Sequence, residues 1–204
     1  MSVTVDRKHA TRSFTASARR AQIITATIAV IAEEGFARAS FARIARRAGL
    51  SSTRLISYHF AGKDELVSAT AEYVIGEISE FMAARVAKET DGPGRLRAYV
   101  EGNIEFIAGH RPEMTALLNI VLAGGIATGM GAHHTAEFYL EGMLRQGQAD
   151  GQFRAFDAHV IASAVQRSIE SLPFALAAEP NLDTKHYARE LVTLFDLGTR
   201  RDSP

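Results

Sequence analysis

The chain contains no cysteine. Disulfides, cysteine-ligated zinc, thiol nucleophiles and thiol redox sensing are therefore excluded, and nothing in this conflicts with a reducing compartment. Long apolar runs are missing as well. Nowhere do about eighteen apolar residues follow one another, and the opening MSVTVDRKHATRSFTAS has no apolar stretch of signal-peptide length. A cytoplasmic protein that does not enter a membrane is expected. No segment alternates apolar and polar residues for long, which argues against strands and leaves an all-α fold. What is present is 204 residues, 47% of them hydrophobic, enough to bury a proper core in one large or two small domains.

Net charge is zero, but the charges are not evenly spread. Through Lys63 there are eleven Lys plus Arg against three Asp plus Glu, leaving twelve against twenty in the remainder. A basic first third followed by an acidic remainder is the pattern expected when one domain meets phosphates and the other does not. The basic segment also carries a motif. In SFARIARRAGLSSTRLISYHFAGK, Ser40 to Lys63, the residues Phe41, Ile44, Ala45 and Ala48 share one helical face, and Arg43, Arg46 and Arg47 lie elsewhere. Gly49 suits a left-handed helix stop, and Ser51 or Ser52 can cap the next helix, Ser52 to Tyr58, which Leu55 and Ile56 would anchor. Two short helices around a tight glycine turn form a helix-turn-helix, the unit that lays its second helix in the DNA major groove.

The run IARRAGLS, then YHF, then Lys63 and Leu66, resembles the DNA-binding signature of the tetracycline-repressor (TetR) family of bacterial transcription regulators. The resemblance covers Arg19 to Leu66. It implies a homodimer that binds double-stranded operator DNA through its first three helices and a small-molecule effector through a longer helical C-terminal domain. Between Gly49 and Tyr58 this chain is one residue longer than the commonest family spacing, with Ser52-Thr53-Arg54 where a Lys-Gly or Arg-Gly pair is usual. The resulting DNA-facing set is Arg43, Ser51, Ser52, Thr53, Arg54, Ser57, Tyr58, His59 and Lys63, with Thr53 and Arg54 as the candidates for base edges and Tyr58 and Lys63 for phosphates.

The domain plan is a disordered basic arm over 1–16, a DNA-binding domain over 17–63 and a ligand-binding and dimerisation domain over 64–204. Within the second, Ile24, Ile28 and Ile31 stripe a first helix ending at Gly35. After it, a long helix opens at Lys63 and reaches about Lys88, where roughly 25 residues would span close to 40 Å. Further helices are expected over 95–108, through Met114 to Val121, over 133–148, over 157–178 with a kink or split at Pro173, and over 184–198. The glycine-rich run Gly124 to Gly131 lacks the preceding strand and the terminal GKS or GKT of a phosphate loop, so it reads as a mobile connection. His133-His134 are adjacent, not i, i+4, which is poor spacing for a helical zinc site. No metal or cofactor is expected.

Isolated polar groups on apolar stripes mark the expected effector pocket: Phe81, Tyr99, Asn103, Phe106, Met114, Leu118, Phe138, Gln166, Glu170 and Phe174. From the resemblance, the last two helices should pair with their symmetry mates through Ile161, Val165, Ser168, Ile169, Leu172, Tyr187, Leu191, Leu194 and Phe195. The alternatives are an architectural DNA-binding protein without effector, or an all-α enzyme using groups such as Glu101, His110, His133 and Glu170, for which no reactive geometry can be read.

Overall fold

A computed structural model describes residues 3–125 and 129–201, with side chains over 15–125 and 136–201. Within those residues the chain is helical and has no strand, apart from an isolated antiparallel bridge between Phe153 and Arg200. The helices are α1 (Val3–Glu34), α2 (Phe41–Arg47), α3 (Arg54–His59), α4 (Lys63–Val86), α5 (Gly92–Gly109), α6 (Arg111–Leu122), α7 (Gly129–Ala149), α8 (Ala158–Glu170), α9 (Leu172–Ala178) and α10 (Thr184–Thr199), with a 3-10 turn over Phe36–Arg38. None of the described helices is long and apolar enough to cross a membrane.

Two compact units emerge, and neither is continuous in sequence. The first takes Met1–Val74 together with Pro112–Ile126; the second takes Ile75–Arg111 and Ala127–Pro204. A single cut after residue 63 does not describe this division. α4 runs through the division at Val74, and most of α6 belongs with the N-terminal unit.

In the first unit, Ile23, Ile28, Ile31, Ile44, Ile56, Phe60, Leu66, Val67, Ala116 and Ile120 are buried as one apolar core. The buried hydroxyls of Thr27 and Thr70 donate to the carbonyls of Ile23 and Leu66, so neither is left without a partner. Gly49 has φ 64°, the left-handed conformation that any residue with a Cβ resists, and it turns the chain sharply between α2 and α3. α1 starts at Val3, so the segment read as a disordered arm is the first half of one long helix. Neither Pro nor Gly occurs before Gly35, and Ala, Arg and Lys favour the helix.

In the second unit α5 packs against α7, α8, α9 and α10, and α7 packs along α8. Asp91, Asp157 and Asp183 each accept backbone amides at a helix start, and at Asp183 those amides hold the carboxyl below its ordinary value. Asp91 and Pro93 start α5 at Gly92, three residues ahead of the expected start at Arg95. Pro173 sits in the first turn of α9, where its missing N–H costs nothing, and the expected 157–178 helix is split at Ser171. α7 begins at Gly129, inside the stretch read as a mobile connection; residues 126–128 and the side chains of His133 and His134 lie outside the described residues.

Candidate nucleic-acid interface

Recognition helix α3 has only six residues, fewer than two turns, and cannot hold its own shape in water. Its position comes from what it buries. Ile56 and Phe60, one helical turn apart, are 0% and 1% exposed, and they turn Arg54, Ser57 and Tyr58 outward. Leu55, expected to share the anchoring, is 36% exposed instead. At the front of the helix Ser52 Oγ accepts the amide of Arg54 at 3.1 Å. The extra residue relative to the family spacing falls in this region, where Ser51, Ser52 and Thr53 are all exposed ahead of the first full turn.

Tyr58 is 81% exposed, and its ring meets that of half-buried His59 edge-on at 5.1 Å. Lys63, the first residue of α4, is exposed and places its ammonium 4.8 Å from the Phe36 ring centroid. The nine DNA-facing candidates therefore divide. Ser51, Ser52, Thr53, Arg54, Ser57, Tyr58 and Lys63 are exposed on α3, its leading turn and the start of α4. Arg43 is ion-paired with Glu34 at the end of α1, so it is less available than its charge implies. Beside it Arg47 binds Glu33 through two hydrogen bonds of 2.6 and 2.7 Å, which hold the Glu33 carboxyl below its ordinary value. Arg46, between them in sequence, is exposed, and its side chain makes no hydrogen bond or ion pair among the described residues. The alternation of paired and unpaired arginines follows helix geometry: Glu33 and Glu34 face only one side of α2. Spacing along α2 revealed the cationic face, but not the acids across from it.

The residues proposed for a pocket are less united. Tyr99 Oη donates to Gln166 Oε1 at 2.8 Å, and Gln166 Nε2 donates to Glu170 Oε1 at 2.8 Å, forming a polar chain from α5 to α8. Burial, with Glu170, Tyr139 and Glu137 nearby, pushes the Tyr99 phenol well above its ordinary value, so it stays a neutral donor. Phe81 lies 5.5 Å from Phe106, and Phe106 stacks on His110 at 4.0 Å. Asn103 donates to the carbonyl of Tyr99 in its own helix. The other members do not join them. Phe138 and Phe174 are exposed, and Met114 and Leu118 lie on α6 in the first unit. A helical stripe gives the azimuth of a side chain on its own helix but not what stands opposite. A pocket that is present in the second unit, lined by Pro93, Leu96, Arg97, Val100, Val192, Phe195, Asp196 and Thr199, holds about 10 Å³, room for one water, and contains none of the ten.

The dimer candidates also divide. Val165, Ile169, Leu172 and Phe195 are buried in their own unit and offer nothing to a second chain, while Ile161, Ser168, Tyr187 and Leu191 are half-buried and Leu194 is exposed. Val160 and Leu197, not anticipated from the stripes, are exposed apolar residues on the same two helices.

The profile of the bacterial regulatory proteins, tetR family, matches residues 23–70. Over that segment the chain carries a DNA-binding domain of the tetR type. The regulator BetI 2 of Chromohalobacter salexigens, an HTH-type transcriptional regulator, is 45% identical over 89 residues, which make up 43% of this chain and 42% of that protein. The chain thus matches less than half the length of such curated relatives. Among solved structures, a transcriptional regulator of Saccharomonospora viridis in complex with choline superimposes with a TM-score of 0.80 at 20% identity, over 91% of this chain and all of that one. AibR in complex with isovaleryl coenzyme A and operator DNA gives 0.74 at 19% identity, over 86% of this chain and 97% of its own. These likenesses extend the tetR-like fold to the C-terminal helices, where sequence similarity has faded.

Proposed function

We propose that this chain is a cytoplasmic transcription regulator of the tetR family, a repressor that binds a palindromic operator as a homodimer and is released by a small-molecule effector. One observation carries the reading. The outward face of α3 and the turn before it is almost wholly hydrogen-bonding, with Arg54 unpaired among the described residues, on a scaffold whose sequence matches the family. Thr53 and Arg54 read base edges, and Ser51, Ser52, Ser57, Tyr58, His59 and Lys63 position the helix on the backbone, with Arg43 contributing where DNA can compete with Glu34. The dimer forms through α8 and α10, with Leu194, Leu191, Tyr187, Ile161 and Ser168 joined by Val160 and Leu197. Two-fold symmetry then sets the recognition helices about 34–36 Å apart, or a small multiple of a DNA turn.

The effector binds in the second unit near Tyr99, Gln166 and Glu170, which supply placed polar groups among apolar neighbours, and it weakens operator affinity by favouring one of two states of the dimer. The choline and isovaleryl coenzyme A complexes of structurally similar proteins support a ligand-responsive role without naming the ligand here. Operator selection followed by binding titrations tests the DNA half. Arg54→Ala should relax preference at one base position by about 1–3 kcal/mol, and Lys63→Ala should weaken all sequences alike and lower the salt slope by about one. If neither variant alters binding to the selected operator, the recognition surface lies elsewhere. Operator affinity that no member of a broad compound library changes would favour an architectural role.

A further inference from the structure

Arg20 lies on α1, far in sequence from the recognition helix, yet its guanidinium makes three contacts at that helix's end. It lies over the buried ring of Phe60, 4.1 Å from the centroid. Its Nη1 donates to the backbone carbonyl of His59, and the same nitrogen reaches Glu65 Oε1 at 3.3 Å. Glu65 in turn accepts the amide of Ala61 through Oε2 at 2.6 Å. Two side chains thus fasten three successive residues of the elbow between α3 and α4: the carbonyl of 59, the ring of 60 and the amide of 61.

The chemistry suits a guanidinium. A planar cation can stack by its face while its edge donates several hydrogen bonds, which a lysine ammonium cannot do. His59 closes α3, where backbone carbonyls lack partners within the helix and a cation is favoured. A six-residue helix needs holding at both ends; Ile56 and the Ser52 hydroxyl serve the body and the front of α3, and Arg20 serves its rear.

We propose that Arg20 is a positioning residue for DNA reading: it fixes the angle at which α3 presents Thr53, Arg54 and Tyr58, without touching DNA itself. The proposal rests on the DNA-binding reading, and its test is built so that the two can fail separately. Arg20→Gln and Arg20→Lys are made in the full-length chain. Amide hydrogen exchange without DNA should accelerate about tenfold or more over residues 56–62 in Arg20→Gln, as the loss of a charge-assisted hydrogen bond requires, with α2 and α5 unchanged. Unchanged exchange over 56–62, or an increase spread evenly across the helices, overturns the clamp whether or not DNA binds. On a selected operator, Arg20→Gln should lose about tenfold or more in affinity and discriminate less against unrelated DNA, while the slope of log affinity against log salt stays at the wild-type value. A slope lowered by about one, as expected for Lys63→Ala, would make Arg20 a phosphate contact, which its 40% exposed side chain could reach. Full recovery in Arg20→Lys would overturn the role of the planar guanidinium. A wild-type chain that binds no DNA would remove the DNA-binding reading, and the exchange data would still judge the clamp.

Discussion

Replacing Ile56 by alanine tests the claim that one side chain holds the recognition helix in place. Ile56 is fully buried, whereas its neighbour Leu55 keeps 36% of its surface in water. Ile→Ala removes three carbons, roughly 2.4 kcal/mol at about 0.8 kcal/mol each. The void left behind adds to this, because the core residues around it relax only in part, and the total should be about 3–4 kcal/mol. Leu55→Ala removes as many carbons from a site already open to solvent, so little void remains and about 1 kcal/mol is expected. With a urea slope of about 2 kcal/mol/M, the first change lowers the unfolding midpoint by about 1.5–2 M and the second by about 0.5 M. Circular dichroism at one fixed protein concentration reads both, the concentration being held because association would itself stabilise the fold. Equal shifts for the two variants, or a shift below about 0.5 M for Ile56→Ala, would refute the account of how α3 is anchored.

Gly49→Ala should cost about 1–2 kcal/mol of stability, from the positive φ alone, since a Cβ there meets nothing within 4 Å; an unchanged melting temperature would show that the turn adopts another conformation. Tyr99→Phe should destabilise by about 1–3 kcal/mol, because it leaves the Gln166 oxygen without its buried donor, and calorimetry finding no loss would mean that water replaces the phenol. Leu194→Asp should return particles of 22.1 kDa, the mass of one chain, in light scattering at micromolar concentration; a surviving dimer would exclude α10 from the interface. Glu33 and Glu65 have carboxyls held below their ordinary value, by Arg47 and by the Ala61 amide respectively. The unfolded chain therefore binds protons first, so their contribution is complete above the unfolded value of about 4.3 and is lost as pH falls through the lower folded values. Urea midpoints of wild type and Glu65→Gln should differ at pH 7 and draw together as pH falls below the unfolded value of about 4.3; a gap that stays constant as the pH is lowered would contradict the assignment.

The helix-turn-helix was readable because its cues are local. Gly49 and the 41–44–45–48 stripe act within one or two turns, and the structure places α2 and the left-handed glycine where those cues put them, while α3 opens at Arg54, two residues after the expected Ser52. The helix starts at Val3 and Gly92 were missed although their cues are local: helix-favouring residues with no Pro or Gly before Gly35, and Asp91 with Pro93. Arg20 and Glu65 were illegible for a different reason: they lie 39 residues before and six after His59, and only the fold reveals that they meet around it. The amphipathic stripes of α8 and α10 were correctly periodic. Periodicity marks an apolar face without saying who covers it, so Val165, Ile169, Leu172 and Phe195 belong to the chain's own core, while the unforeseen Val160 and Leu197 remain exposed.

The membership of α6 in the first unit bears on how such proteins can be recombined. Ala116 and Ile120 are completely buried, and a side chain at Gly125 would stand 3.1 Å from both the Ile120 carbonyl and the Phe36 ring. The DNA-reading head is therefore stitched from two stretches separated by 37 residues of the other unit, Ile75 to Arg111. Grafting residues 1–74 alone onto a foreign body would leave that head without its own α6, and the donor would have to supply an equivalent of residues 112–125. A working chimera needs two splice points, not one, and exchanging the second unit between relatives should succeed only where the residues equivalent to 112–125 fit against Phe36.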